Sequence, residues 1–136
     1  MANPNKARGD RHERETRNFL AEVFGRLVKR PRQEGLQDVG DIHVSPFVLQ
    51  AKNWRDTVAA IRAGVEGAEE QARNAEEPYG VAVVKMRGKG AAYSRVVMTL
   101  ATFRRVLARL LRAERLLQRH APDAYAQHIA EVEQDR

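Results

Sequence analysis

Cysteine is absent from the 136 residues, so the chain can form neither a disulfide nor a thiolate zinc site, which fits a reducing cytoplasm. Apolar runs reaching about eighteen residues are also missing, so no membrane-spanning segment is expected. The opening Met1 to Lys6 has no apolar stretch behind it and does not read as a secretory signal. Four histidines, His12, His43, His120 and His128, fall into no HExxH or H-x-x-x-H arrangement, which argues against a zinc hydrolase. Gly88-Lys89-Gly90 lacks the flanking spacing and the following Ser or Thr of a nucleotide-binding loop. Internal repeats and low-complexity tracts are absent, and aromatic residues make up only 6%, with Trp54 the one tryptophan.

What remains is a basic chain of one-domain length with 43% hydrophobic residues, enough for a single core. Its net charge of +6 is unevenly spread. Residues 1–32 carry nine basic and four acidic residues, a balance of +5, and residues 85–119 carry ten and one, a balance of +9. The remaining segments sum to −8. Two basic blocks around an acidic middle suggest a phosphate-facing surface, because Lys and Arg gain affinity by releasing counterions from nucleic acid. Solvated arginine-rich helices are the plain alternative.

The chemistry concentrates in Gly40 to Lys52. Strand alternation puts Gln50 and Lys52 on one face of Phe47–Lys52, with Phe47, Leu49 and Ala51 on the other. On the preceding strand, Asp38–Val44, Asp41 and His43 share a face. If Ser45 and Pro46 form the turn, Val44 pairs with Phe47 and Asp41 lies opposite Gln50, roughly 5 Å away between β-carbons, with Lys52 diagonal to it. An acid and a second oxygen donor this close suit a hard cation such as Mg²⁺, with the Ala51 backbone carbonyl as a further ligand. A desolvated lysine beside metal-bound water and a scissile phosphate orients or deprotonates that water and stabilises charge developing on phosphorus. His43 is placed for a supporting role or as an exposed structural histidine.

Asp41 followed by Gln50-Ala51-Lys52 resembles the PD-(D/E)XK nuclease superfamily, whose motif is an acid ending one strand and (D/E)-x-K on the next. Gln50 stands where most members carry an acid. Glutamine serves some active members through its carbonyl, but it removes one negative charge, so weaker metal affinity or a need for millimolar metal follows. Upstream, Asp10–Leu27 reads as an amphipathic helix with Thr16, Leu20, Val23, Phe24 and Leu27 on one stripe and Glu13 at its start. Lys6 to Glu15 looks like the opening of archaeal-type Holliday-junction resolvases, in which the first glutamate of an E-R-E segment, here Glu13, is an active-site acid. The resemblance covers about residues 6–100. It implies a restriction-endonuclease-like core, Mg²⁺ or Mn²⁺ as cofactor, catalytic roles for Glu13, Asp41, Gln50 and Lys52, four-way DNA junctions as substrate, and a two-fold homodimer. Another nuclease of the superfamily and a catalytically inactive DNA-binding module remain open.

Elsewhere the patterns predict a strand beginning at Val28–Arg32 and leading into a basic loop with Gly35. They predict a helix over 55–77 with Val58, Ile61, Val65, Ala68, Ala72 and Ala75 inward and Gln71 at its boundary, and strands at Tyr79–Met86 and Tyr93–Leu100. Thr102–Arg119 reads as a basic amphipathic helix with Phe103, Leu107, Leu110, Leu111 and Leu117 inward. Pro122 starts a last helix whose Tyr125, Ile129 and Val132 suit a dimer interface. Arg8, Arg11, Lys29, Arg30, Arg32, Arg87 and Lys89 are the expected DNA-binding residues. Trp54 reads as either a base-stacking residue or a packing anchor. The expected fold is α/β, a single domain over 1–136: a flexible basic arm at 1–9, a central mixed sheet of about four or five strands flanked by helices, and C-terminal helices over 101–136.

Overall fold

The first helix begins earlier than apolar periodicity predicts, and the reason lies in its capping. Asn3 accepts a hydrogen bond from the Asn5 amide, Pro4 occupies the first helical turn, and the helix runs unbroken as α1 (Pro4–Phe24). Residues 4–9 are therefore its opening turns rather than a flexible arm. At the other end Gly25 takes φ 53°, a left-handed conformation that suits glycine, and a 3-10 turn follows at Gly25–Leu27. Val23, Phe24 and Leu27, expected inward, are exposed, the last of them beyond the helix stop, while His12 and Thr16 take the buried face.

This computed structural model describes residues 3–32 and 37–135; Gly35 and the loop expected around it lie outside them. The chain forms two compact units, Met1–Thr99 and Leu100–Arg136. The first is α/β, with a four-stranded mixed sheet in the order β1 (Ile42–Val44), β2 (Phe47–Lys52), β3 (Tyr79–Val84), β4 (Arg95–Val97). β1 and β2 form an antiparallel hairpin in which Val44 pairs with Phe47, the register a two-residue turn at Ser45 and Pro46 requires, and the Ser45–Pro46 peptide is cis. β2 and β3 run parallel, joined by α2 (Thr57–Asn74), and β4 returns antiparallel to β3. The strand anticipated at Val28–Arg32 is reduced to one bridge between Lys29 and His43, since Pro31 cannot donate to a ladder.

All six residues of β3 are buried, as befits a central parallel strand. One core cluster joins Ile42, Leu49, Val81 and Val83, with Leu20 of α1 packed on it. A second, formed by Ala60, Ala82 and Val84, packs with Ile61 and Val65 of α2. Each large aliphatic side chain so buried contributes about 1.5–3 kcal/mol. Asp56 caps α2 by accepting from the Ala59 amide. The inward stripe of α2 is rotated from the expected one: Val58 is exposed, while Ala60, Gly64, Ala68, Gln71 and Ala72 are buried. The cause is close approach to the sheet, because a β-carbon at Gly64 would lie 2.8 Å from that of Ala82 and one at Gly80 would collide with the Ala68 carbonyl.

The second unit pairs α3 (Leu100–His120) with α4 (Pro122–Gln134). Phe103, Leu107, Leu110 and Leu111, expected inward, are exposed, because α4 has 13 residues against 21 in α3 and covers only part of its apolar surface. Among the described residues no helix is long and apolar enough to cross a membrane.

Candidate functional site

The approach to β1 is shaped by a turn. Asp38 Oδ1 accepts from the Gly40 amide, and Gly40 adopts φ 92°, with no room for a β-carbon against Val48. The expected strand over Asp38–Val44 is thereby shortened to its last three residues, and Asp41 emerges at the mouth of the hairpin. Its amide donates to the Leu49 carbonyl at 3.2 Å and its Oδ2 accepts from the Ala51 amide at 2.9 Å, so Asp41 brackets Gln50 as the register predicts. Burial holds the Asp41 carboxyl above the usual range; the Ala51 N–H opposes this, Asp38 adds to it, and Lys52 and Arg30 pull it down.

Glu13 reaches the same place from α1. It lines a cleft of about 470 Å³ with Arg30, Pro31, Arg32, Gly40 and Asp41. Its side chain is only 15% exposed, and it pairs with Arg30 at 3.3 Å and Arg17 at 3.9 Å. Burial and then the facing Asp41 charge raise its pKa, against the two guanidiniums. Two carboxylates that both resist ionisation, turned toward one cleft, form a site whose charge a bound cation would relieve.

Gln50 behaves differently. With its amide oriented by its neighbours, the nitrogen donates to the Gly64 carbonyl at 3.2 Å, and the oxygen accepts from Gln71 Nε2 at 3.0 Å and Lys52 Nζ at 3.2 Å. Gly67 gives the space, since a β-carbon there would collide with the Gln50 amide. Gln50 and Lys52 therefore share a face, as alternation requires, but the Gln50 amide is turned under α2. Gln71, expected at the helix boundary, is 2% exposed and also donates to Asp38 Oδ2 at 2.7 Å, which ties α2 to the loop before Asp41. Among the described residues no group of three or more His, Cys, Asp or Glu is placed to hold a metal.

His12, without an expected role, is 1% exposed and its Nε2–H donates to the Val83 carbonyl at 3.1 Å. Burial lowers its pKa and favours the neutral ring, which pins α1, and with it Glu13, to β3. His43 makes a structural contact instead, from its ring to the Val39 carbonyl.

The expected basic residues divide. Arg30 and Arg32 line the acidic cleft. Lys29 serves β1 through its backbone, exchanging hydrogen bonds with His43. Arg11 pairs with Glu15 at 2.8 Å on an exposed helix face. Lys89 lies 5.9 Å from the Tyr93 ring centroid at the tip of the second hairpin. Arg8 and Arg87 meet in another cleft, of about 630 Å³, which also holds Asn53, Trp54, Arg55 and Lys85. Arg55 and Lys85 were not among the expected binding residues; the run Lys52-Asn53-Trp54-Arg55 was the available signal. No protein-family model, curated protein sequence or solved structure matches this chain.

Proposed function

We propose that the chain is a metal-dependent DNA endonuclease of the PD-(D/E)XK type with a restriction-endonuclease-like core, acting on four-way junctions as a two-fold homodimer. The observation that carries this reading is the meeting of Glu13 from α1 and Asp41 from the hairpin in one cleft, with Lys52 close enough to bias the Asp41 carboxyl. Three segments of sequence converge on hard oxygen donors beside an ammonium, the donor set that suits Mg²⁺ or Mn²⁺. Asp41, Glu13 and the Ala51 carbonyl would hold the ion, joined by the Gln50 amide oxygen only if it exchanged its Lys52 and Gln71 contacts for the metal; when bound, the ion would supply a polarised phosphate and an acidified water.

The chain's own residues do the rest. Lys52 Nζ orients the attacking water and meets the charge that grows on the phosphoryl oxygens. Gln50 fixes Lys52 through its amide oxygen, and Gln71 fixes Gln50. Arg30 and Arg32 face the strand's phosphates across the acidic cleft. Two symmetric cuts require two sites. Exposed Leu110, Leu111 and Leu116 on arginine-rich α3, with exposed Ile129 and Val132 on α4 beside Glu131 and Glu133, offer a second copy apolar surfaces of opposite charge.

A second reading is favoured by one feature: the Gln50 oxygen is engaged by Lys52 and Gln71, which leaves two carboxylates and fits a DNA-binding module that does not cut. Labelled junction, linear duplex and flap substrates, with Mg²⁺, Mn²⁺ or chelator, separate these readings. Symmetric metal-dependent nicking of the junction supports the resolvase, cleavage of duplex or flaps supports another nuclease of the superfamily, and tight binding without cleavage supports the inactive module.

A further inference from the structure

Trp54 follows the site lysine by two residues, yet it is not a packing anchor: 47% of it is exposed. Its ring lines two clefts at once. One, of about 550 Å³, also contains Ala51 and Lys52, and the Lys52 ammonium lies 4.8 Å from the ring centroid. The other is the 630 Å³ cleft with Arg55, Lys85 and Arg87, a volume that suits a nucleotide-sized ligand. Arg8 and Asn53 line both, and the Asn53 amide donates to the Arg8 carbonyl at 3.4 Å, holding the α1 and β2 segments together. Among the described residues no acidic side chain lines either cleft.

An exposed indole in clefts lined by cations and by no acid asks for a ligand that is both flat and anionic. A paired base presents only its edges to a protein, because its faces are stacked within the duplex. An unpaired base presents its face, and its phosphates lie on either side of it. We propose that Trp54 is the stacking platform of a subsite that takes one unpaired nucleotide of a DNA strand, with Arg8, Arg55 and Arg87 on the flanking phosphates. The DNA identity of the strand rests on the nuclease reading above; the stacking geometry does not. The subsite adjoins Lys52, so it selects substrates with an unpaired nucleotide next to the scissile phosphate, as at a branch point, flap or gap, over continuous duplex.

Because Trp54 is the sole tryptophan, its fluorescence reports on the subsite directly. The full chain is titrated in chelator with a short oligothymidylate, its abasic counterpart and a blunt duplex. Saturable quenching by oligothymidylate, with little from the abasic strand or the duplex, is the expected result. Trp54→Leu should weaken binding of dye-labelled oligothymidylate about tenfold while changing duplex binding little, and Trp54→Phe should recover most of the loss. Circular dichroism confirms that each variant is folded. Equal quenching by the abasic strand, or unchanged oligothymidylate affinity in a folded Trp54→Leu, overturns the subsite. Quenching without cleavage of any DNA in Mg²⁺ or Mn²⁺ leaves the subsite standing and removes the nuclease; cleavage without quenching does the reverse.

Discussion

Two clefts flank the C-terminal end of β2, and they differ in charge: one sets two carboxylates among two arginines, the other has basic side chains and no acid in its lining. The Glu13–Asp41 cleft holds two carboxylates made reluctant to ionise by burial, with Asp41 repelling Glu13 and Asp38 repelling Asp41. The Trp54 cleft holds Arg8, Arg55, Lys85 and Arg87 around an exposed ring. Ala51 and Lys52 join them: the Ala51 amide donates to Asp41, while the Lys52 ammonium touches the Gln50 amide and lies over Trp54. On the proposed function the contrast becomes a division of labour, with cutting assigned to the acidic cleft and holding to the Trp54 cleft, so damage to each should appear in a different measurement.

The largest effect is expected from Lys52→Ala. Metal-dependent cleavage should fall at least about 100-fold, while junction affinity measured in chelator stays within about twofold. Asp41→Asn should abolish cleavage to a similar degree and yet raise the melting temperature, because it removes a carboxylate that ionises at a cost. Together these two variants would break the division if binding fell in step with cleavage.

Gly67→Ala sharpens the comparison from the side of α2. The added methyl collides with the Gln50 amide and displaces the group that holds Lys52. We expect about a tenfold loss of cleavage and a stability cost of about 1–3 kcal/mol, read from thermal melts. In the basic cleft, Arg87→Ala should weaken all DNA several-fold without lowering single-turnover cleavage at saturation, and should reduce the slope of log affinity against log salt by about one.

The smallest effect is in pH. Both Asp41 and Glu13 are held above their ordinary values, so the folded chain binds these protons more tightly than the unfolded chain does. Stability contributed by this pair therefore increases as pH falls through the folded values toward the unfolded ones, and is lost again as pH rises to neutrality. Cleavage moves the other way, falling with acid earlier than free Asp or Glu would dictate. Melting temperatures and single-turnover rates across mildly acidic pH should show these opposite trends, and Asp41→Asn should flatten the first.

Much of the geometry around Asp41 was legible in the sequence because it depends on local rules. Alternation fixed the shared face of Gln50 and Lys52, and the Val44–Phe47 pairing placed Asp41 across from Gln50. Helical phase put Glu13 at the start of the inward stripe, but its role as a site residue came from the resemblance; Val23 and Phe24, expected inward on the same stripe, are exposed, as is Leu27 beyond the Gly25 stop. The rest depended on partners far along the chain. Gln71 is buried because Asp38 accepts from it, and His12 because the Val83 carbonyl does, and neither partner is visible to periodicity. The Trp54 cleft is assembled from α1, the end of β2 and the tip after β3, so Arg8 and Arg87 were legible singly, Arg55 and Lys85 were missed, and the surface itself was not visible.

Calorimetric titration of Mn²⁺ into the full chain, compared with Asp41→Asn and Glu13→Gln, probes the convergence of these carboxylates without requiring any cleavage. The account predicts one site per chain in the wild type, abolished by Asp41→Asn and weakened by Glu13→Gln. Binding that is absent from the wild type, or unchanged in Asp41→Asn, would contradict it.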